Sequence, residues 1–165
     1  MITNSGLMDM IGLGTFIYWV FKGNSSRLGM TFATFYAIRA VFVNVIWLPY
    51  PALYYWEDPG VPSLIVSYGP GSDFFYSGHS GFLVICAREW GSIGHKGIRN
   101  FIYVVLTYTV FVLLVFRGHY TIDIFAGIFF ADYCYLRIDA IKEPLDDFFG
   151  KTALKIKRLY HKCFG

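Results

Sequence analysis

Apolar residues along this chain gather into five long stretches, at 7–21, 31–48, 74–90, 98–116 and 120–138. None keeps the alternation of a barrel strand, so each is expected to be a helix. The first stretch, at fifteen residues, falls short of the roughly twenty that cross a bilayer core, and is expected to tilt against partners or to lie partly in the interface. The second carries Arg39 near its centre. A charge there costs a few kcal/mol or more unless it faces the bundle interior or water, so Arg39 is expected to be buried and partnered. Between the second and third stretches, residues 49–71 hold Pro49, Pro51, Pro59, Pro62 and Pro70 beside Tyr50, Tyr54, Tyr55 and Trp56. Helix cannot run through so many prolines. The pattern predicts an all-α polytopic transmembrane bundle of about five spans, one domain over residues 1–140, followed by a basic tail at 141–165 that is amphipathic at most.

Composition sharpens this picture. Of the 165 residues, 56% are hydrophobic and only 15% charged, against about 45–50% and about 25% in soluble domains. The chain lacks the polar side chains to cover a water-facing surface. Its formal net charge of +3 is too small to point to a nucleic-acid partner. The placement of the fourteen basic residues matters more. Lys22 and Arg27 follow the first stretch; Arg88, Lys96 and Arg99 surround the turn after the third; and Arg137, Lys142, Lys151, Lys155, Lys157, Arg158 and Lys162 end or follow the fifth. That leaves Arg39 within a stretch and Arg117 alone on the opposite face. The asymmetry predicts a basic inner side with the tail, and an N-terminus outside. No basic run precedes the first apolar stretch, so no cleaved presequence is expected. Cys86, Cys134 and Cys163 form no CxxC pair, which signals neither a zinc site nor a disulfide framework, and Cys86 and Cys134 are expected to pack as small apolar residues.

Two polar segments interrupt the apolar background: Asp73-Phe74-Phe75-Tyr76-Ser77-Gly78-His79-Ser80 and Arg117-Gly118-His119-Tyr120-Thr121-Ile122-Asp123. The alternation of spans puts both at outer helix ends. His119 and Asp123 stand four apart, so one helical face can present both, with the carboxylate accepting from an imidazole N–H. His79 supplies a second imidazole at the same level. A histidine held by a carboxylate can attack phosphorus, and a second can protonate the departing alkoxide and later deprotonate the acceptor, with no metal or cofactor required. The other histidines, His95 in the inner loop and His161 in the tail, are expected to be solvated.

The runs Phe75-Tyr76-Ser77-Gly78-His79 and Arg117-Gly118-His119-Tyr120-Thr121-Ile122-Asp123 resemble the two motifs of the lipid phosphatase/phosphotransferase (PAP2-like) superfamily. They are most similar to the branch that holds sphingomyelin synthases and phosphatidylcholine:diacylglycerol cholinephosphotransferases. Ile38-Arg39 and Leu48-Pro49-Tyr50-Pro51 resemble upstream elements of that branch, so the likeness covers about residues 35–140. The wholly apolar 112–116 before the second motif favours the transferase branch over the wider phosphatases. By position, the resemblance implies that His119 is the nucleophile of a phospho-histidine intermediate, Asp123 its orienting partner and His79 the general acid and base. Ser77, Gly78 and Arg117 would surround the phosphoryl oxygens. A guanidinium suits that role, although Arg117 also fits a headgroup anchor.

The implied function is metal-independent transfer of a phospho-headgroup between lipids, phosphocholine from phosphatidylcholine to diacylglycerol. Its partners are then membrane phospholipid and diacylglycerol, in an endoplasmic reticulum or Golgi-type endomembrane or, alternatively, the mitochondrial inner membrane. The family usually has six spans and five are counted here, so the first is expected to be absent. That shortfall keeps open a second expectation, a non-catalytic accessory subunit with partner chains in a membrane complex. Tyr54, Tyr55, Trp56 and Tyr76 fit two roles, holding a quaternary ammonium or lining the interface.

Overall fold

The computed structural model describes residues 2–22, 25–46, 48–49 and 75–164, with side chains at 6–148 of these and at 150. Five helices follow one another: α1 (Ile2–Lys22), α2 (Arg27–Val45), α3 (Gly78–Ser92), α4 (Lys96–Val115) and α5 (Thr121–Phe164). The architecture is all-helical, with no strand among the described residues. The expectations for residues 50–74, with their prolines and aromatics, and for the side chains of His161 and Cys163 lie outside the described residues.

Helix α3 is the hub, packed on α4 and α5 and more lightly on α1 and α2. Its inward residues, Leu83, Ile85, Cys86 and Ala87, are fully buried, and Cys134 of α5 joins the same core. The first half of α5 crosses α3 closely because glycines leave room. A methyl on Gly127 would collide with the Ser77 carbonyl and stand 2.7 Å from Ser80 Oγ; one on Gly81 would collide with the Phe35 ring. Small residues at a crossing are how helices approach without a hydrophobic drive between them.

Two helices, α2 and α4, are long and apolar enough to cross a membrane. In α4, Ile102, Val105, Leu106, Thr109 and Val112 face the core, while Phe101, Val104, Tyr108, Phe111 and Val115 face outward. The first half of α5 repeats the arrangement, with Ile122, Phe125, Phe129 and Leu136 exposed. A helix apolar on every side suits hydrocarbon rather than water.

Helix bounds depart from the apolar stretches for physical reasons. Helix α1 begins at Ile2 rather than 7, because Thr3, Asn4 and Ser5 continue a helix that hydropathy does not mark. Its 21 residues reach about 31 Å, enough for a bilayer core. Helix α3 begins at Gly78, not 74, since Tyr76 has φ +90° and Ser77 is an extended N-cap. Helix α5 runs 44 residues, well past 138, held to the start of α2 by Asp139 and Asp146. Asp139 Oδ1 accepts from Arg27 at 2.7 Å, and Asp146 Oδ1 accepts from the Ser26 hydroxyl at 2.7 Å.

Candidate active site

At one end of the bundle the two polar motifs meet. Each is shaped by a helix terminus. Helix α4 ends in a turn in which Gly118 N–H bonds the Leu113 carbonyl at 2.8 Å and Arg117 N–H bonds that of Leu114 at 3.2 Å. This closure needs a left-handed residue, usually glycine, at the position Arg117 fills with φ +52°. The turn delivers His119 to the start of α5. There Asp123, in the first turn, accepts the Tyr120 N–H on Oδ2 at 2.9 Å, as a capping carboxylate does. The same oxygen stands 3.3 Å from His119 Nδ1. His119 is largely buried and Asp123 wholly so. Oδ1 of Asp123 meets no hydrogen-bond partner among the described residues.

The other motif is tied to this one through its backbone. Ser77 N–H donates to the Asp123 carbonyl at 2.9 Å, and the Ser77 side chain caps α3 by accepting from Ser80 N–H. His79 is thereby lodged in the first turn of α3, half-buried, with its ring centre 5.8 Å from that of His119 and nearly edge-on. The site residues read from the sequence fall as follows. His79, His119 and Asp123 converge; Ser77 is buried beside them; Gly78 opens α3; and Arg117 is exposed at the α4–α5 turn.

Arg39 is the residue the motif reading left out of the site. It is partnered as expected but half-buried rather than buried, and its Nε donates to the Tyr76 carbonyl at 3.1 Å. A methyl on Gly78 would stand 3.3 Å from that nitrogen, so the absence of a side chain at 78 lets the guanidinium lie against the α3 N-terminus. Its signal in the sequence was the cost of a charge in an apolar stretch; that it arrives at Gly78 depends on how α2 packs. Tyr76 departs from the expected headgroup wall. It is fully buried, packed on Phe35 at 4.8 Å and Phe130 at 5.0 Å between ring centres. A ring in that position braces the turn and meets no ligand.

Chemically, a carboxylate on Nδ1 fixes the tautomer that leaves Nε2 as a nucleophile, while the second imidazole stands close enough to serve the same substrate atom set. Arg39 and the amides of the α3 N-terminus bring positive potential to the same place.

Residues 71–140, which carry both motifs, match the family model described as PAP2 superfamily C-terminal. No curated protein and no solved structure matches the chain. The match covers 70 of the 165 residues, and over that segment the chain is similar to the PAP2 superfamily. With two helices apolar enough to cross a bilayer, the match supports a membrane protein.

Proposed function

We propose that the protein moves a phosphorylated headgroup between lipids, phosphocholine from phosphatidylcholine to diacylglycerol, through a phospho-histidine. The observation that carries this reading is the convergence of His79 on a buried His119–Asp123 pair, 5.8 Å between rings and 3.3 Å from imidazole to carboxylate. In the first step His119 Nε2 attacks phosphorus, the bond to the diacylglycerol oxygen breaks, and that oxygen takes the proton carried by His79. In the second, the acceptor's hydroxyl gives its proton to His79 and attacks the phosphoryl group, freeing His119. Arg39, Arg117 and the Ser77–Gly78 turn offset the charge that builds on the phosphoryl oxygens. The convergence favours an enzyme over an accessory subunit, which has no need of three aligned groups. All five helices act as spans in this reading, the fifteen-residue α3 sheltered among α2, α4 and α5 rather than spanning lipid alone, in an endoplasmic reticulum or Golgi-type membrane. The histidine end faces the non-cytoplasmic side, because the basic residues gather at the other.

The test is to mix the purified protein with phosphatidylcholine labelled at phosphorus and then quench in alkali. An alkali-stable, acid-labile label on the protein that disappears in His119→Ala is the expected result. Headgroup exchange by His119→Ala at the wild-type rate would overturn the mechanism.

A further inference from the structure

Away from the histidines, a cavity of about 440 Å³ lies between α1, α2 and α3, a size usual for ligand sites of about 300–1,000 Å³. Helix α1 rests on α3, where Tyr18 meets Trp90 at 4.8 Å between ring centres. It nears α2 at the hairpin, where a methyl on Gly29 would stand 3.2 Å from the Trp19 ring. Above that contact the cleft opens, walled by Leu13, Phe16, Leu28, Phe32 and Phe82.

We propose that this cleft holds one acyl chain of the lipid whose headgroup reacts at His119, an inference that rests on the transfer reading. Three observations choose a lipid tail over other occupants. First, register sets the cleft directly beneath the site. Phe82 follows His79 by three residues and Tyr36 precedes Arg39 by three, about 4.5 Å of helix rise in each case. Second, polarity falls in the order a lipid demands. Asp9 and Tyr36 line the end toward the histidines, and hydrocarbon lines the rest. The one polar group deeper in, the Thr15 hydroxyl, is already engaged, donating to the Ile11 carbonyl at 2.7 Å and accepting from Trp90 Nε1 at 2.9 Å. Third, the cleft opens sideways, since Leu13 and Phe16 are 51% and 56% exposed, so a chain enters from the bilayer without crossing water. From Tyr36 to Leu28 the wall spans about 12 Å, and the Thr15–Trp90 bond with the Trp19–Gly29 contact forms its floor. The cleft therefore measures chain length.

Two readouts test this. A phosphatidylcholine with a diazirine midway along one acyl chain is expected to label peptides containing Phe16 and Phe32, equally in the wild type and in His119→Ala. Label confined to the outward stripes of α4 and α5, around Phe111 and Phe129, would overturn the proposal. Leu13→Trp, at an exposed wall position that folding tolerates, is expected to lower turnover of dioleoyl relative to dioctanoyl substrate tenfold or more. That is the effect of about two methylenes losing their burial. An unchanged ratio, with transfer still abolished by His119→Ala, sinks the tail site and spares the transferase. Labelled cleft peptides in a protein that turns over no lipid spare the tail site and sink the transferase.

Discussion

The two ends of the bundle both bury ionisable groups and treat them in opposite ways. At the end where α1 meets α2, Arg27 is nearly enclosed and each side of its guanidinium is used. Nε bonds Glu89 at 2.9 Å, Nη1 bonds Asp139 at 2.7 Å and Nη2 bonds Ser92 Oγ at 2.5 Å. The Tyr135 hydroxyl donates to Glu89 at 3.3 Å while its ring lies 5.3 Å from the guanidinium. At the histidine end, Asp123 Oδ1 has no hydrogen-bond partner among the described residues, and Tyr76 and Arg117 hold left-handed backbone that costs of order 1–3 kcal/mol each. Each side of the Arg27 guanidinium thus faces an acceptor, whereas one buried carboxylate oxygen and two strained backbones sit where the two motifs meet. Arg27 ties α2 to α3 and α5. The histidine end ties α3 to α5 through the Ser77–Asp123 backbone bond and holds the residues proposed for the chemistry.

Substitution of His119 is the most forceful way to break that contrast. His119→Ala is expected to lower headgroup transfer by about 10⁴-fold or more with little change in thermal stability, and Asp123→Asn by a similar order through the wrong tautomer. Single-turnover transfer assays and thermal melts in the same detergent check both. Melting lowered by several degrees with transfer retained would make the histidine end a structural joint like the other.

Next in size is the crossing of α5 on α3 at the histidine end. Gly127→Ala sets a methyl against the Ser77 carbonyl, so α5 must back away from α3 and carry His119 from His79. A displacement near 1 Å costs about 10²-fold in rate, while overpacking costs about 1–3 kcal/mol. The expected mark is a kcat loss larger than the stability loss predicts, read as activity per folded molecule. Loss of both in proportion would mean that the crossing supports the fold alone.

How much of the molecule is legible in its sequence depends on the range of the forces involved. Helix α4 was legible to within two residues, 98–116 against Lys96–Val115, because a helix apolar on every side shows directly in hydropathy. His119 and Asp123 were legible because their pairing is a local matter of helical spacing, and His79 because its motif stands out from hydrocarbon. The extensions of α1 and α5 were not, since polar helix gives no hydropathy signal. Arg27 with Glu89 and Asp139 lay out of reach for another reason: 62 and 112 residues separate the partners, and only packed helices bring them together. Tyr76 was misjudged because amphipathic rings look alike in sequence whether they face headgroups or, as here, brace a strained turn.

At the paired end, removing one partner is expected to show in stability first. Glu89→Ala leaves the Arg27 guanidinium largely buried without its more buried carboxylate partner, which costs about 3–5 kcal/mol for broken buried pairs. The expected result is a clear drop in the denaturation midpoint with transfer per folded molecule little altered. Lost turnover at unchanged stability would reverse the roles assigned to the two ends.

The smallest expected effect is the dependence of stability on acidity, and it separates the ends by pH. Hydrogen bonds from Arg27 and then Lys142 hold the Asp139 carboxyl below its ordinary value. Burial works against Asp146, but hydrogen bonds from the Ser26 N–H and hydroxyl and from Ser25, with the charge of Arg27, together outweigh it and hold that carboxyl low as well. A carboxyl depressed in the folded state contributes stability that is fully present above its unfolded value near 3.9 and is lost as pH falls through the folded one. Melting temperature should therefore be insensitive to these two groups from about pH 8 to 5 and decline below about pH 4. Asp139→Asn removes its share of that decline, so the acid limb becomes shallower, while the pH profile of headgroup transfer stays where it was because Asp139 touches neither histidine. If Asp139→Asn instead moves the transfer profile and leaves the acid limb alone, the paired end is coupled to the chemistry and the division between the two ends fails.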